Sequence, residues 1–245
     1  MAPASTSPSP LSGKLALVTG ASGTIGFCIA QTLAQHGASV VLTGRRRDRL
    51  EAVAQRISGS HVLPCDVTKE ESVMQLFDAI DRLPKPLGIL VNNAGINVTG
   101  ASTDISGRDF QSVMDVNVLG PFLCSREFFR RSSGGGRIIN IGSLSAASPR
   151  PDSCPYTTSK FALQGLTQSM ALDGRSKGIA VGIIHPGNVQ SELLTPEMIA
   201  ARESEGFLEA QSVADCVLHM SLLPSSANIL EMTVLPTQQP FQGRG

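Results

Sequence analysis

Tyr156 is the only tyrosine in the chain, and Lys160 follows it at a spacing that puts both side chains on one face of a helix. A phenol is a weak acid–base group at neutral pH, because its pKa lies about three units too high; a neighbouring ammonium favours the phenolate and narrows that gap. The pair therefore suits delivery of a proton to an oxygen and its recovery, with a solvated helix lysine as the plain alternative for Lys160. Ser143 and Ser145 follow an apolar run, where either hydroxyl can donate to an oxygen gaining negative charge or simply shape a turn. A second chemistry lies near the start, in Thr19-Gly20-Ala21-Ser22-Gly23-Thr24-Ile25-Gly26. A pyrophosphate needs backbone N–H groups at a helix N-terminus and a turn free of bulky side chains, which Gly20 and Gly26 supply. Glycines at a helix start also have a purely structural use; their place at a strand-to-helix handover favours the anion cradle.

These residues must be held by something, and the hydrophobic pattern says what. Apolar runs at Leu15 to Thr19, Ser39 to Thr43, His61 to Pro64, Ile89 to Asn92, Arg137 to Ile141, Ile179 to Ile184 and Ile229 to Leu235 read as strands. Between them, Ile25 to His36, Arg47 to Ile57, Glu70 to Leu83, Gly107 to Arg131 and Tyr156 to Lys177 carry apolar residues at helical spacing. Strands alternating with crossover helices predict an α/β fold: a doubly wound, seven-stranded parallel sheet of Rossmann type with helices on both faces. No repeat or long linker divides it, so residues 13–245 are expected to form one domain behind a disordered Pro/Ser/Ala-rich tail, residues 1–12.

Composition removes other classes. Twenty basic and twenty acidic residues leave no net field to gather nucleic acid or an anionic membrane, and no apolar run approaches the length of a membrane span. Five scattered cysteines without a CxxC pair fit neither a disulfide framework nor a zinc site, and the four histidines show no ligand spacing; a reducing, cytoplasmic setting and no metal are expected.

The glycine loop, Asn92-Asn93-Ala94-Gly95 and Tyr156-x-x-x-Lys160, in this order, resemble the short-chain dehydrogenase/reductase family from about Lys14 to the last strand. The resemblance implies an oxidoreductase moving a hydride between a nicotinamide dinucleotide and a carbonyl or alcohol. It implies a catalytic set of Asn117, Ser143, Tyr156 and Lys160, the thirteen-residue offset from Tyr156 selecting Ser143 over Ser145. Lys160 would also hold the nicotinamide ribose, and Asn117 would support a proton-passing water. Gly20, Ser22, Gly23, Thr24, Ile25 and Gly26 would meet the pyrophosphate; Asp66, Val67, Asn93, Ala94 and Gly95 the adenosine; Pro186, Gly187, Val189 and Ser191 the nicotinamide carboxamide. Thr24 departs from the family, which carries glycine there: its side chain either crowds the pyrophosphate or points away while Gly23 gives the freedom. After the second strand Gly44 replaces the carboxylate that would read a free ribose 2′-hydroxyl, and Arg45 and Arg46 follow, so NADP(H) is expected over NAD(H) unless the basic run is only a solvated helix start. Two further readings stay open: an epimerase or dehydratase on the same fold, and a non-catalytic dinucleotide-binding regulator. A homo-oligomer, tetramer first and dimer next, is expected from the resemblance and from apolar Phe122, Phe128, Phe129, Phe161 and Leu166 on two long helices.

Overall fold

Apolar runs with no polar alternation are stable as strands only if both faces are covered, and β1 (Leu15–Thr19) is buried at every position. In the computed structural model, which describes residues 9–241, it lies near the middle of a parallel sheet. The others are β2 (Ser39–Thr43), β3 (Ser60–Val62), β4 (Leu87–Asn92), β5 (Gly136–Ile141), β6 (Ile179–Pro186) and β7 (Glu231–Val234), in the order β3-β2-β1-β4-β5-β6-β7. The expected seven-stranded, doubly wound parallel fold is present, as a single domain. Strands β1, β2, β4, β5 and β6 each feed two cores. Ala16, Val18, Val40, Leu42, Ile89 and Val91 face one, beneath α1 (Thr24–Gln35), α2 (Arg47–Ala54) and α8 (Ala210–Leu222). Leu15, Leu17, Val41, Leu90 and Ile138 face the other, beneath α3 (Glu70–Ile80), α5 (Gly120–Arg131) and α6 (Cys154–Gly174). Period-two alternation along each strand makes this division automatic.

Four features differ from expectation. The single helix expected over Gly107 to Arg131 is α4 (Gly107–Met114), a π-helical turn Asp115–Leu119, and α5. Pro121 has no N–H to return to the carbonyl four residues back, that of Asn117; the register widens, and the Gly120 N–H bonds instead to the Asp115 carbonyl. Second, α8 was not anticipated, nor was the short α7 (Pro196–Ala200), yet Val213, Ala214, Val217, Met220 and Ser221 form a buried stripe at helical spacing that binds α8 to the sheet. Third, the tail expected through Ser12 is a turn over its last four residues: Leu11 is fully buried and its N–H bonds to the His36 carbonyl at 2.9 Å. Residues 1–8 lie outside the described chain. Fourth, Phe128 is buried, and Phe129 and Leu166 pack against the second core, so of the five apolar residues assigned to a subunit contact only Phe122 and Phe161 are exposed.

Candidate functional site

The chain winds from β1 outward to β3 and returns through β4 to the other side of β1, so the carboxyl ends of β1 and β4 diverge into a crevice, the usual ligand position in such sheets. Thr19 and Asn93 lock its floor. The Thr19 hydroxyl accepts from the Asn93 and Ala94 N–H groups at 2.9 and 3.0 Å, and Asn93 Nδ2 donates to the Thr19 and Gly20 carbonyls at 3.0 and 3.2 Å. Packing this tight excludes side chains. Gly20 has φ of 63°, and a Cβ there would stand 2.9 Å from Ala94 Cα; one on Gly26 would meet the Gly20 carbonyl and Asn93 Nδ2. Asn92, behind them, donates to Ser125 and Asn140 at 3.1 and 2.8 Å and braces β4 against β5.

The N-terminus of α1 points its free N–H groups into the crevice, and an anion is already there. The Glu192 carboxylate accepts from the Thr24 N–H at 3.1 Å and the Thr24 hydroxyl at 2.7 Å, and abuts Gly23. Burial pushes the Glu192 carboxyl up, but bonds from its own backbone N–H and from Thr24, with Arg46 nearby, bring it below its ordinary value. The Thr24 side chain therefore points toward Glu192. The cradle accepts negative charge, as a pyrophosphate requires. Farther out, exposed Arg45, Arg46 and Arg49 line the same cavity, opposite Asp66 and Val67. The Asp66 carboxylate accepts from the Thr68 N–H and hydroxyl at 3.1 and 2.8 Å.

At the other end, α6 begins at Cys154 with Pro155 in its first turn and presents Tyr156 and Lys160 one turn apart. Lys160 is buried, with Nζ 5.3 Å from the Tyr156 ring centre and donating to the Ile141 carbonyl at 2.9 Å. Burial lowers its pKa to about 8. The Tyr156 phenol is pushed up by burial and pulled back by the Ser143 hydroxyl and by Arg202, a second cation on this side of the cavity besides Lys160. Ser143 Oγ accepts from the Ser145 N–H at 3.1 Å, and the Ser143 backbone is held by His185, whose Nδ1 lies 2.9 Å from its carbonyl.

The cavity, about 980 Å³, brings together Gly20, Ser22, Gly23, Thr24, Ile25, Gly26, Arg45, Arg46, Asp66, Val67, Asn93, Ala94, Gly95, Ser143, Tyr156, Lys160, Pro186, Gly187, Val189 and Ser191. Asn117 is not on its wall. It is buried, its amide oxygen accepting from the Ile96 N–H at 2.9 Å and its Nδ2 donating to the Ile96 carbonyl and Ser159 Oγ at 2.9 and 3.0 Å. It braces the β4 exit against α6. Sequence reasoning did not single out Arg49, Arg150, Glu192 or Arg202, which also line the cavity. Arg49 stands four residues after Arg45, a spacing that offered a signal; the other three lie in loops with none.

Known proteins agree with this geometry. The sequence profile described as short chain dehydrogenase matches residues 14–200. Farnesol dehydrogenase of Aedes aegypti is 34% identical over 94% of this chain and 98% of its own length. A short-chain type dehydrogenase/reductase from Mycobacterium marinum superposes with a TM-score of 0.87 at 30% identity, covering 93% of this chain and 96% of its own. The 3-ketoacyl-(acyl-carrier-protein) reductase of Brucella melitensis, solved with NADH, gives 0.87 at 27% identity, covering 94% and 100%. A profile match across most of the chain, on a sheet wound in this order, has one reading: the protein is a member of the short-chain dehydrogenase/reductase family.

Proposed function

We propose that this oxidoreductase moves a hydride between NADP(H) and a carbonyl or secondary alcohol, with Tyr156 as general acid and base. The observation that carries the reading is one continuous cavity with Ser143, Tyr156 and Lys160 at one end and an anion-accepting helix terminus with arginines at the other. A bound nicotinamide supplies or takes the hydride at carbon. The chain's own residues handle the oxygen. Ser143 donates a hydrogen bond to it, Tyr156 gives it a proton in reduction and removes one in oxidation, and Lys160 supports the phenolate and the nicotinamide ribose. Asn117 acts as a positioning residue, fixing Ile96 and Ser159 beside them. Arg45, helped by Arg46 and Arg49, reads the 2′-phosphate, since no carboxylate occupies Gly44 to repel it.

The test is a panel of ketones, aldehydes and secondary alcohols assayed with both cofactors by reduced-nicotinamide absorbance. NADPH-linked turnover of at least one carbonyl is expected, and Arg45→Ala should raise KM for NADPH severalfold while moving that for NADH little. Preference for NADH, or equal weakening of both cofactors, would refute the NADP reading. A reducing compartment such as the cytoplasm suits the five cysteines, all of which are free.

A further inference from the structure

The cavity wall beyond Tyr156 is built by the segment that follows β6, and it carries charge that proton transfer does not use. Arg202, just past α7, lines the cavity and is half-buried. Among the described residues its guanidinium has no carboxylate within 4 Å and no side-chain hydrogen bond; its ionisable neighbours are Arg150, Glu205 and Tyr156. Arg150, by contrast, is engaged. It donates to the Glu205 carboxylate and, at 3.4 Å, to Asn188 Oδ1, and Asn188 Nδ2 donates to the same carboxylate at 2.7 Å. Glu205 thus bonds to Arg150 and not to Arg202, which stands on the cavity wall with no carboxylate bonded to it among the described residues.

The other acids on this part of the wall do not supply the missing partner. Glu192 is bound to Thr24 and Glu197 is held by Thr195 at the start of α7, while Asp152 sits exposed on the rim. A half-buried cation repelled by a second cation has lost water and gained little in return, so it favours an anion more strongly than a fully solvated arginine does.

We propose that the substrate carries a carboxylate and that Arg202 binds it, making the natural substrate pair an oxo acid and its hydroxy acid. The inference rests on the carbonyl–alcohol reading given above. Arg202 is then the residue that decides specificity, and it sets the substrate's orientation: carboxylate toward the segment after β6, carbonyl toward Ser143 and Tyr156.

The test compares 3-, 4- and 5-oxo acids with their methyl esters, using NADPH and the full chain. For at least one chain length, kcat/KM for the acid should exceed that for its ester by about tenfold or more, the scale of one charge-assisted hydrogen bond. Arg202→Gln should reduce that ratio to near unity, and Arg202→Lys should restore part of it. In Arg202→Gln the acidity of Tyr156 is the same for both members of a pair, so the ratio left in that variant reads carboxylate recognition alone. A parent enzyme that reduces the esters as well as the acids, or an unchanged ratio in Arg202→Gln, overturns the inference. Calorimetric titration of the acids into the NADPH-loaded protein separates the two readings. Binding that Arg202→Gln abolishes, without reduction of any carbonyl, would keep the anion site and defeat the carbonyl reading; no binding of any acid overturns the anion site itself.

Discussion

Tyr156→Phe removes one hydroxyl and keeps the ring that packs at the start of α6, so the variant should fold and bind NADPH while losing about 10²- to 10⁴-fold in turnover, the range for a general acid. Lys160→Ala should lose turnover and cofactor affinity together, since both tasks are proposed for its buried ammonium. Turnover of Tyr156→Phe near the parent rate would assign the proton to another group. His185 supplies a pH test. Its imidazole is buried behind Ser143, and burial lowers its pKa, with the Ser143 backbone and Glu231 opposing and Lys160 adding to the shift. A histidine whose folded pKa is depressed binds more protons when unfolded, so stability rises with pH; its contribution is complete above the ordinary value near 6.5 and declines as pH falls below it. Melting curves between pH 7.5 and 5 should show the parent losing more stability on acidification than His185→Asn. Parallel curves would remove His185 from the account.

At the scale of the element, the N-terminus of α1 and the segment after β6 share one interaction that bears on cofactor binding. A helix start offers partial positive charge and unpaired N–H groups to whichever anion arrives, and Glu192 meets that need through Thr24. Phosphate must approach the same N–H groups against the Glu192 carboxylate, so Glu192→Gln, which removes the charge and nearly preserves the shape, should tighten NADPH binding severalfold. The chain contains no tryptophan, so nicotinamide fluorescence or calorimetry can follow this without competing protein signal. Weaker binding in Glu192→Gln would mean that the carboxylate helps to order the site. Thr24→Gly, which restores the residue usual in the family, should act in the same direction by releasing Glu192. The π-helical turn is a second element with a function to explain it. Widening at Asp115–Leu119 brings Asn117 to Ile96 and Ser159, a position where its amide is fully bonded and joins the β4 exit to α6.

For the whole molecule, four of the eight exposed large apolar side chains among the described residues, Leu119, Phe122, Phe161 and Leu172, lie on the π turn, α5 and α6. A symmetric contact between copies, forming a tetramer or failing that a dimer, would cover these side chains. Light scattering at micromolar concentration should give a multiple of the 25.7 kDa chain mass, and Phe161→Glu should shift it downward. A monomeric parent protein would overturn the assembly.

The sheet and the placing of Tyr156 beside Lys160 were legible in the sequence. Buried parallel strands leave a continuous apolar signal, as in Leu15–Thr19 and Ile179–Pro186, and Tyr156 and Lys160 are joined by helical spacing alone. The glycine loop was legible for a related reason: Gly20 and Gly26 are demanded by local backbone approach to Ala94 and Asn93, which leaves no room for a Cβ. Local rules hid other features. The π turn depends on one proline interrupting an otherwise helical pattern, and α8 was overlooked although its buried stripe was present in the sequence. Only the tertiary structure decided the electrostatics of the site. Glu192 and Arg202 lie 168 and 46 residues from Thr24 and Tyr156 along the chain. No periodicity links them, because their contacts are made where a loop folds back over the ends of the strands, and charge acts across the space that this fold closes.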